Sequence, residues 1–504
     1  MFWTSPGHNM TTPRLRQFQE ISALLNSSLR HDEIRTRAIQ AAMTLVEAEA
    51  GSLLLLDEPT GELHFDVAHG EKGDSVRSVR LKPGEGIAGS VLKTGEPVLI
   101  NNVQHDPRFS SLADRRSGFA TRNMICVPIT ARGERLGVLQ VLNKSQDRLF
   151  NEDDLHECIA LGHQVGIAVE NANLYRDIQN LFDGFVSASV QAIESRDPIT
   201  SGHSLRVAHL TCRLAEVVSQ SRSGPYATLL FDEAQLKEMH YAAVLHDFGK
   251  VGVREHLLVK ANKLYPGQLA VLQTRFDFIK RTLEVHSLRR QVELLRAGHR
   301  PDIESALADL ETNLQTRLHQ VDEMLAHLQT CNQPTLHPQE ALTRLQEIAC
   351  LSYESYDGDH TYLTPEEVTA LSIPTGSLTR DERTAIETHV SHTYQFLRKI
   401  PWTRSLHQVP DIAHAHHEYL DGSGYPRRIT AQDIPVQSRI MTICDIYDAL
   451  TAADRPYKKA VTPMKALEIL AQKATNKQID GDLFALFTDA KVYQMTSPSR
   501  DSAP

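Results

Sequence analysis

Apolar positions along the first third of the chain switch between two periods. From about Leu15 to Glu49 they recur at helical spacing. Short β-rich runs follow at Gly51–Leu56, Glu62–Ala68, Pro97–Val103, Asn123–Thr130 and Arg135–Asn143. Turn residues separate these runs at Pro59-Thr60-Gly61, Gly84-Glu85-Gly86 and Arg132-Gly133-Glu134, the last joining two runs as a hairpin does. From about Asn151 the helical period returns and runs toward Asn180. The pattern predicts an antiparallel sheet flanked by helices, an α+β unit. Over residues 160–196 the helical period continues through Val165, Ile167, Val169, Leu174, Ile178, Leu181 and Phe185. One long helix is expected there, its apolar stripe either packed into a core or paired across a dimer.

Residues 268–330 carry a different regularity. Leu269, Leu272, Phe276, Ile279 and Leu283 are spaced three and four apart, and after a one-step slip Val285, Leu288, Val292 and Leu295 continue. A Gly298–Pro301 breaker follows. Ile303, Leu307, Leu310, Leu314, Leu318, Val321, Leu325 and Leu328 then keep nearly the same spacing. Two such runs around a turn predict an antiparallel coiled-coil hairpin with both runs closing its seam. Each arm, roughly 28 residues, would reach about 40 Å. The arm bears no catalytic chemistry and reads as a dimerisation arm or a platform for signalling partners.

A chain of 504 residues is too long for one core, so several domains are expected. Apolar residues at 41% and charged residues at 23% are ordinary for a globular protein. A net charge of -10 argues against a nucleic-acid polymer as partner. The six cysteines form no C-x-x-C pair and read as reduced thiols. The N-terminus lacks an apolar signal core, and aliphatic runs such as Leu53–Leu56 fall far short of the roughly 20 residues a spanning helix needs. A cytoplasmic protein without membrane insertion is expected.

Histidine changes the picture, with 24 residues, several of them placed beside carboxylates. His246-Asp247 closes an apolar stretch, Met239 to Leu245, where a lone buried carboxylate would be costly and a cation would offset the cost. Imidazole with carboxylate suits iron, manganese or zinc, and the two oxygens of Asp247 can bridge two ions. His416 and His417 are adjacent, hard to satisfy in a core yet natural as neutral ligands. Gly422 and Gly424 suit a tight turn. Arg455 and Lys458, three apart on one helical face, form a natural phosphate clamp. Six histidines fall within 389–417, of which His392, His407 and His414 are read as bystanders.

Residues 19–172 resemble a GAF domain through Gly51-Ser52, Gly84-Glu85-Gly86-Ile87-Ala88-Gly89, Val127-Pro128 and Gly137 to Lys144, followed by Phe150 and Asp154. In cyclic-nucleotide-binding members a lysine and an aspartate pair near the pocket. Lys144 and Asp154 match them, but Leu155 stands where the family has glutamate. The resemblance implies a structural Lys144–Asp154 pair and leaves open a small-molecule ligand such as a cyclic nucleotide.

Residues 185–262 and 376–480 resemble the HD-GYP family, a branch of the HD phosphohydrolases. The resemblance rests on His246-Asp247 and on His416-His417-Glu418 through Asp421-Gly422-Ser423-Gly424-Tyr425-Pro426. It implies an all-α domain holding two divalent metals, iron or manganese, on His203, His246, Asp247, His389, His416, His417 and Asp445. It places Lys250 near the scissile phosphate, Arg455 and Lys458 on the substrate phosphates, and Tyr425 and Asp448 on the substrate side. The family's third-metal glutamate is replaced by Ile199, so two metals are expected. The layout is a tail (1–18), GAF domain (19–172), connector helix (173–196), HD-GYP first part (197–262), helical-hairpin insertion (263–375), HD-GYP second part (376–485) and C-terminal tail (486–504). The implied activity is metal-dependent hydrolysis of cyclic di-GMP to pGpG, with further cleavage to GMP left open, by a GAF-regulated homodimer paired through connector and hairpin. Hydrolysis of another cyclic dinucleotide, or a degenerate domain that binds ligand or partner, stands as the alternative.

Overall fold

The computed structural model describes residues 19–25, 31–69, 79–195, 202–298, 302–452 and 460–495. The chain divides into two units, residues 1–184 and 185–504.

In the first unit, α1 (His31–Leu45) precedes β1 (Ala48–Asp57), β2 (Glu62–His69) and β3 (Arg80–Leu81). Then come α2 (Gly86–Thr94), β4 (Val98–Ile100), α3 (Leu112–Ser117), β5 (Met124–Ala131), β6 (Glu134–Lys144) and α4 (Glu152–Glu194). The strands form one antiparallel sheet in the order β3-β2-β1-β6-β5-β4. Side chains alternate across a strand, so one sequence supplies two cores. Leu53, Ile125, Val127, Leu139 and Val141 pack with Ile34, Ile39, Leu161 and Val165 on one face. Leu54, Met124, Cys126 and Val138 pack with Ile87 and Val91 on the other. Helix α4 lies flush on β5 because Gly162 and Gly166 have no side chain. A Cβ on Gly166 would run into the Thr130 carbonyl, and one on Gly162 would come within 2.9 Å of the Pro128 carbonyl oxygen.

Two expectations change here. Ala48 and Glu49 begin a strand instead of ending a helix. The run Pro97–Val103 yields strand only at Val98–Ile100, because the Asn101 amide exchanges two 3.0 Å hydrogen bonds with the Phe150 backbone and takes that stretch out of the ladder. The connector lies, as expected, within one long helix. It is the second half of α4, which continues unbroken to Glu194.

The second unit holds α5 (His203–Gln220), α6 (Glu233–Leu245), a 3-10 turn (Phe248–Gly252), α7 (Glu255–Leu258), α8 (Pro266–Arg296) and α9 (Ile303–Cys331). It continues with α10 (Gln339–Ala349), a two-stranded hairpin of β7 (Ser352–Ser355) and β8 (Gly358–Thr361), α11 (Pro365–Leu371), α12 (Arg380–Leu397), α13 (Val409–His414), α14 (Val436–Thr451), α15 (Pro463–Thr475) and α16 (Gly481–Asp489). Helices α8 and α9 are the hairpin arms, bridged by Lys280 and Asp322 at 2.9 Å. The arm has a base that periodicity did not announce. Leu264, Leu272, Phe276, Val321, Leu328, Leu345, Tyr362 and Leu371 share one core across α8 to α11. The ends of the arm meet there, since the Lys263 amide donates to the Asn332 carbonyl at 3.0 Å and the Leu264 amide to the Asn332 side chain at 2.7 Å.

The expected seam fails in its outer half. Val285, Leu288, Val292 and Leu295 are 43–57% exposed. Continuing the spacing from buried Leu283, the half-buried positions become Ser287, Gln291 and Leu294. The slip in the sequence marks where the apolar stripe rotates out of the hairpin. Among the described residues, no helix is long and apolar enough to cross a membrane.

Candidate metal centre

The seven expected ligands come from five separated stretches. Helix α5 begins with His203, and Asp232 and Gln235 fix the start of α6 by capping each other's backbone amides. The far end of α6 presents His246, followed by Asp247. Thr379 and Glu382 cap α12 in the same way, which carries His389. His416 and His417 follow α13, and α14 carries Asp445.

Three histidines share one local device. Nδ1 of His246, His389 and His416 donates to the carbonyl three residues earlier, on Ala243, Ile386 and Ala413, at 2.7, 2.6 and 2.6 Å. A carbonyl can only accept, so each Nδ1 carries the proton and each Nε2 keeps its lone pair. All three Nε2 atoms are buried without a hydrogen-bond partner among the described residues. His203 is held differently. Its Nδ1 donates to Asp448 at 2.7 Å, and its Nε2 lies 3.1 Å from Asp445. A carboxylate behind an imidazole is the arrangement that orients a metal-ligating histidine.

These atoms converge. His203, His246 and Asp247 form one group whose ligand atoms lie within 4.8 Å of one another, His246, His416 and Asp445 a second, and His389, His416 and His417 a third. Nε2 of His389 stands 3.1 Å from Asp247 Oδ1. A lone pair facing an anionic oxygen at that distance is repulsive unless the pair shares a proton or a metal ion. The donor set, mixed nitrogen and oxygen, therefore fits divalent metal.

The electrostatics agree. Burial pushes the Asp445 carboxyl up, but the His203 hydrogen bond and the surrounding imidazoles outweigh it and hold Asp445 well below the usual carboxylate range. Asp247 is lowered against its burial by Lys250, His246 and His389. Burial pulls His417 down to about 4, and burial with neighbouring imidazoles lowers His416 as well. Ionised carboxylates beside the neutral imidazoles of His416 and His417 are the protonation states a metal requires. At His203 burial is outweighed by Asp445 and Asp448, which raise it to about 9, so a metal there would displace its Nε2 proton.

Several residues support the ligands, of which Glu418 belongs to the stretch that carried the resemblance while Thr393 and Thr442 gave no signal in the sequence. Thr393, fully buried, donates to the His246 carbonyl at 2.9 Å and accepts from the Gly249 amide at 2.8 Å. A Cβ at Gly249 would strike the His389 carbonyl, so the turn after Asp247 seats directly on α12. Thr442 donates to the His416 carbonyl at 2.7 Å. Glu418 turns away from the ligands, its carboxylate accepting from the Arg427 and Ile429 amides at 2.7 and 3.2 Å, which clamps the loop containing the cis Tyr425-Pro426 bond. Such residues are ordinary in composition and acquire their role only when helices meet.

On the substrate side the picture is mixed. The Lys250 ammonium is 2.8 Å from Asp247. The Tyr425 ring lies 4.7 Å from that of His417. Asp448 is corrected: its carboxylate is engaged by His203 and by Arg206 at 2.7 and 3.0 Å and is only 2% exposed, so it faces a ligand and not a substrate. Arg455 and Lys458 lie outside the described residues, as does Ile199. Of the bystanders, His414 stacks on Tyr394 at 4.0 Å and His407 donates to the Arg404 carbonyl. In the first unit Lys144 and Asp154 form a buried ion pair at 2.5 Å, joined by the Asn151 amide at 2.9 Å.

Residues 28–170 match the family described as GAF domain and residues 361–483 that described as HD domain. The chain thus carries a GAF domain followed by an HD domain. The HD match includes His389, His416, His417 and Asp445. It begins after His203, His246 and Asp247, which the fold brings to the same place. The chain is 39% identical over 115 residues, 23% of its length and 24% of the relative's, to a 3′3′-cGAMP-specific phosphodiesterase of Vibrio cholerae. It is 28% identical over 217 residues, 41% of its length and 29% of the relative's, to a probable 3′,5′-cyclic phosphodiesterase of Caenorhabditis elegans. These matches span less than a third of the relatives' own length. Among solved structures, a GAF domain from an Acinetobacter phosphoenolpyruvate-protein phosphotransferase is 25% identical, covers 33% of this chain and 97% of that one, and has a TM-score of 0.30.

Proposed function

We propose that the second unit is a metal-dependent phosphodiesterase that opens cyclic di-GMP to pGpG and then GMP, under control of a ligand of the GAF domain. The observation that carries this reading is the set of three buried, unpartnered Nε2 atoms aimed at two ionised carboxylates. His203, His246, Asp247, His389, His416, His417 and Asp445 would hold two divalent ions, iron or manganese. Bound there, such ions supply Lewis acidity toward a phosphoryl oxygen and acidify water. The protein's own share is positional. Asp448 and the three backbone carbonyls fix four of the five imidazoles, Asp247 faces His203 and His246 with one oxygen and His389 with the other, and Lys250 sets a positive charge beside it where phosphoryl oxygens would gather negative charge. Arg455 and Lys458 would hold the second phosphate, and Tyr425 would wall the site beside His417.

A second substrate has support of its own. The relative from Vibrio cholerae is described as specific for 3′3′-cGAMP. Metal-loaded protein offered cyclic di-GMP and 3′3′-cGAMP in competition separates the two, because the preferred substrate is consumed first. If neither is turned over and metal content stays near zero in folded protein, the HD unit is a binding module.

A further inference from the structure

The outer face of α8 carries an apolar stripe that is mostly exposed, only Phe278 among the described residues of the stripe meeting another ring, that of Tyr353 on β7 at 6.0 Å. Val271, Phe278, Val285 and Val292 recur every seven residues, and Leu288 and Leu295 fall three residues after the last two. All six are exposed, between 37% and 59%. The buried stripe, Leu272, Phe276, Ile279 and Leu283, occupies a different side of the same helix. A strict seven-residue repeat is the signature of a seam made with another helix, not of a single helix facing water.

The residues around the stripe specify the occupant. With Val271, Phe278, Val285 and Val292 at heptad position a, position d holds Thr274, Arg281, Leu288 and Leu295. β-Branched a residues with leucine at d favour two parallel strands. Position g holds Asp277, Glu284 and Gln291, and position e holds Arg275, Thr282, Arg289 and Arg296. In a parallel pair, g of one helix meets e of the next heptad on the other, which sets Glu284 against Arg289 and Gln291 against Arg296. An antiparallel pair would set arginine against arginine and acid against acid. Arg275 is already paired with Glu367 at 2.6 Å, so contact is expected mainly beyond it. The turn of the β7–β8 hairpin, with fully exposed Tyr356, walls one side of this face.

We infer that the outer face of α8 docks the same face of a second copy of this chain, in parallel and in register, as a two-stranded coiled coil. The inference is independent of the reaction assigned to the HD unit.

Cysteine trapping on the full-length chain tests it, with Cys350→Ser removing the exposed native thiol. In that background Leu288→Cys should form a disulfide with itself under mild oxidation. Glu284→Arg should weaken self-association about fivefold, as two lost g–e pairs imply. Adding Arg289→Glu should restore it by exchanging the charges. Sedimentation velocity reads association and circular dichroism confirms unchanged helix. A chain that self-associates without the Leu288→Cys cross-link, a monomeric wild type at tens of micromolar, or a double variant no better than Glu284→Arg alone would overturn the inference.

Discussion

At the scale of the residue, the centre is built by proton placement. Each Nδ1–H given to a carbonyl leaves an Nε2 lone pair pointing inward, while Asp448 holds the Nδ1–H of His203 from behind. Changing Asp448 to Asn removes the charge behind His203, and metal affinity should fall about 10–100-fold with the fold intact. Metal titration followed by calorimetry checks this, and unchanged affinity would free Asp448 from the positioning role. Asp247→Ala should abolish turnover and lower metal content per chain, read by elemental analysis alongside nucleotide assay. An active variant would contradict the bridging role. The candidate ligands themselves were legible because histidine beside carboxylate is rare and its joint order along the chain is informative. Their supports were not, because Thr393 and Thr442 look like any helical threonine until a neighbouring carbonyl comes within reach. Asp448 was legible only as one acid near another. Which way it faces depends on Arg206, more than two hundred residues away in sequence.

At the scale of the element, two glycines of one helix have opposite meanings. Gly166 meets the Thr130 backbone, so Gly166→Ala should destabilise the GAF unit by roughly 1–3 kcal/mol through overpacking. Gly184 has nothing within 4 Å of a Cβ, so Gly184→Ala should stabilise the helix by roughly 0.5–1 kcal/mol. Urea unfolding of the two variants reads both signs. Helix α12 gives a pH test. Burial raises the Glu382 carboxyl, but Lys260 at 2.7 Å, the Thr379 amide and Tyr265 outweigh it and hold Glu382 below its usual value. A lowered folded value means stability that is present above the usual carboxylate range and lost as pH falls through it. Glu382→Gln should therefore be less stable than wild type by roughly 1–2 kcal/mol at pH 7, and the gap should close toward pH 3. Denaturant midpoints at the two pH values decide it. Periodicity revealed α8 and α9 but not which stripe each would bury, since a seven-residue repeat states that a seam exists and not with whom. The short β7–β8 hairpin is largely exposed, and its Ser, Glu, Asp and Gly residues carry no strand pattern.

At the scale of the whole molecule, a GAF domain precedes an HD domain whose ligand-bearing pieces are interrupted by a long arm. The order of parts was readable because each has its own signature. The base of the arm was not, because its core joins residues as distant as Leu264 and Leu371. Asn332 ties the arm shut at its root, through hydrogen bonds to the backbone of Lys263 and Leu264. The two strands leaving the root are therefore already neighbours, and whatever length of polypeptide projects beyond adds little loop-closure entropy to assembly of the ligand cluster. An arm fastened in this way is exchangeable: its tip can be lengthened, shortened or rewritten for a new recognition task while the histidine–carboxylate cluster keeps its geometry.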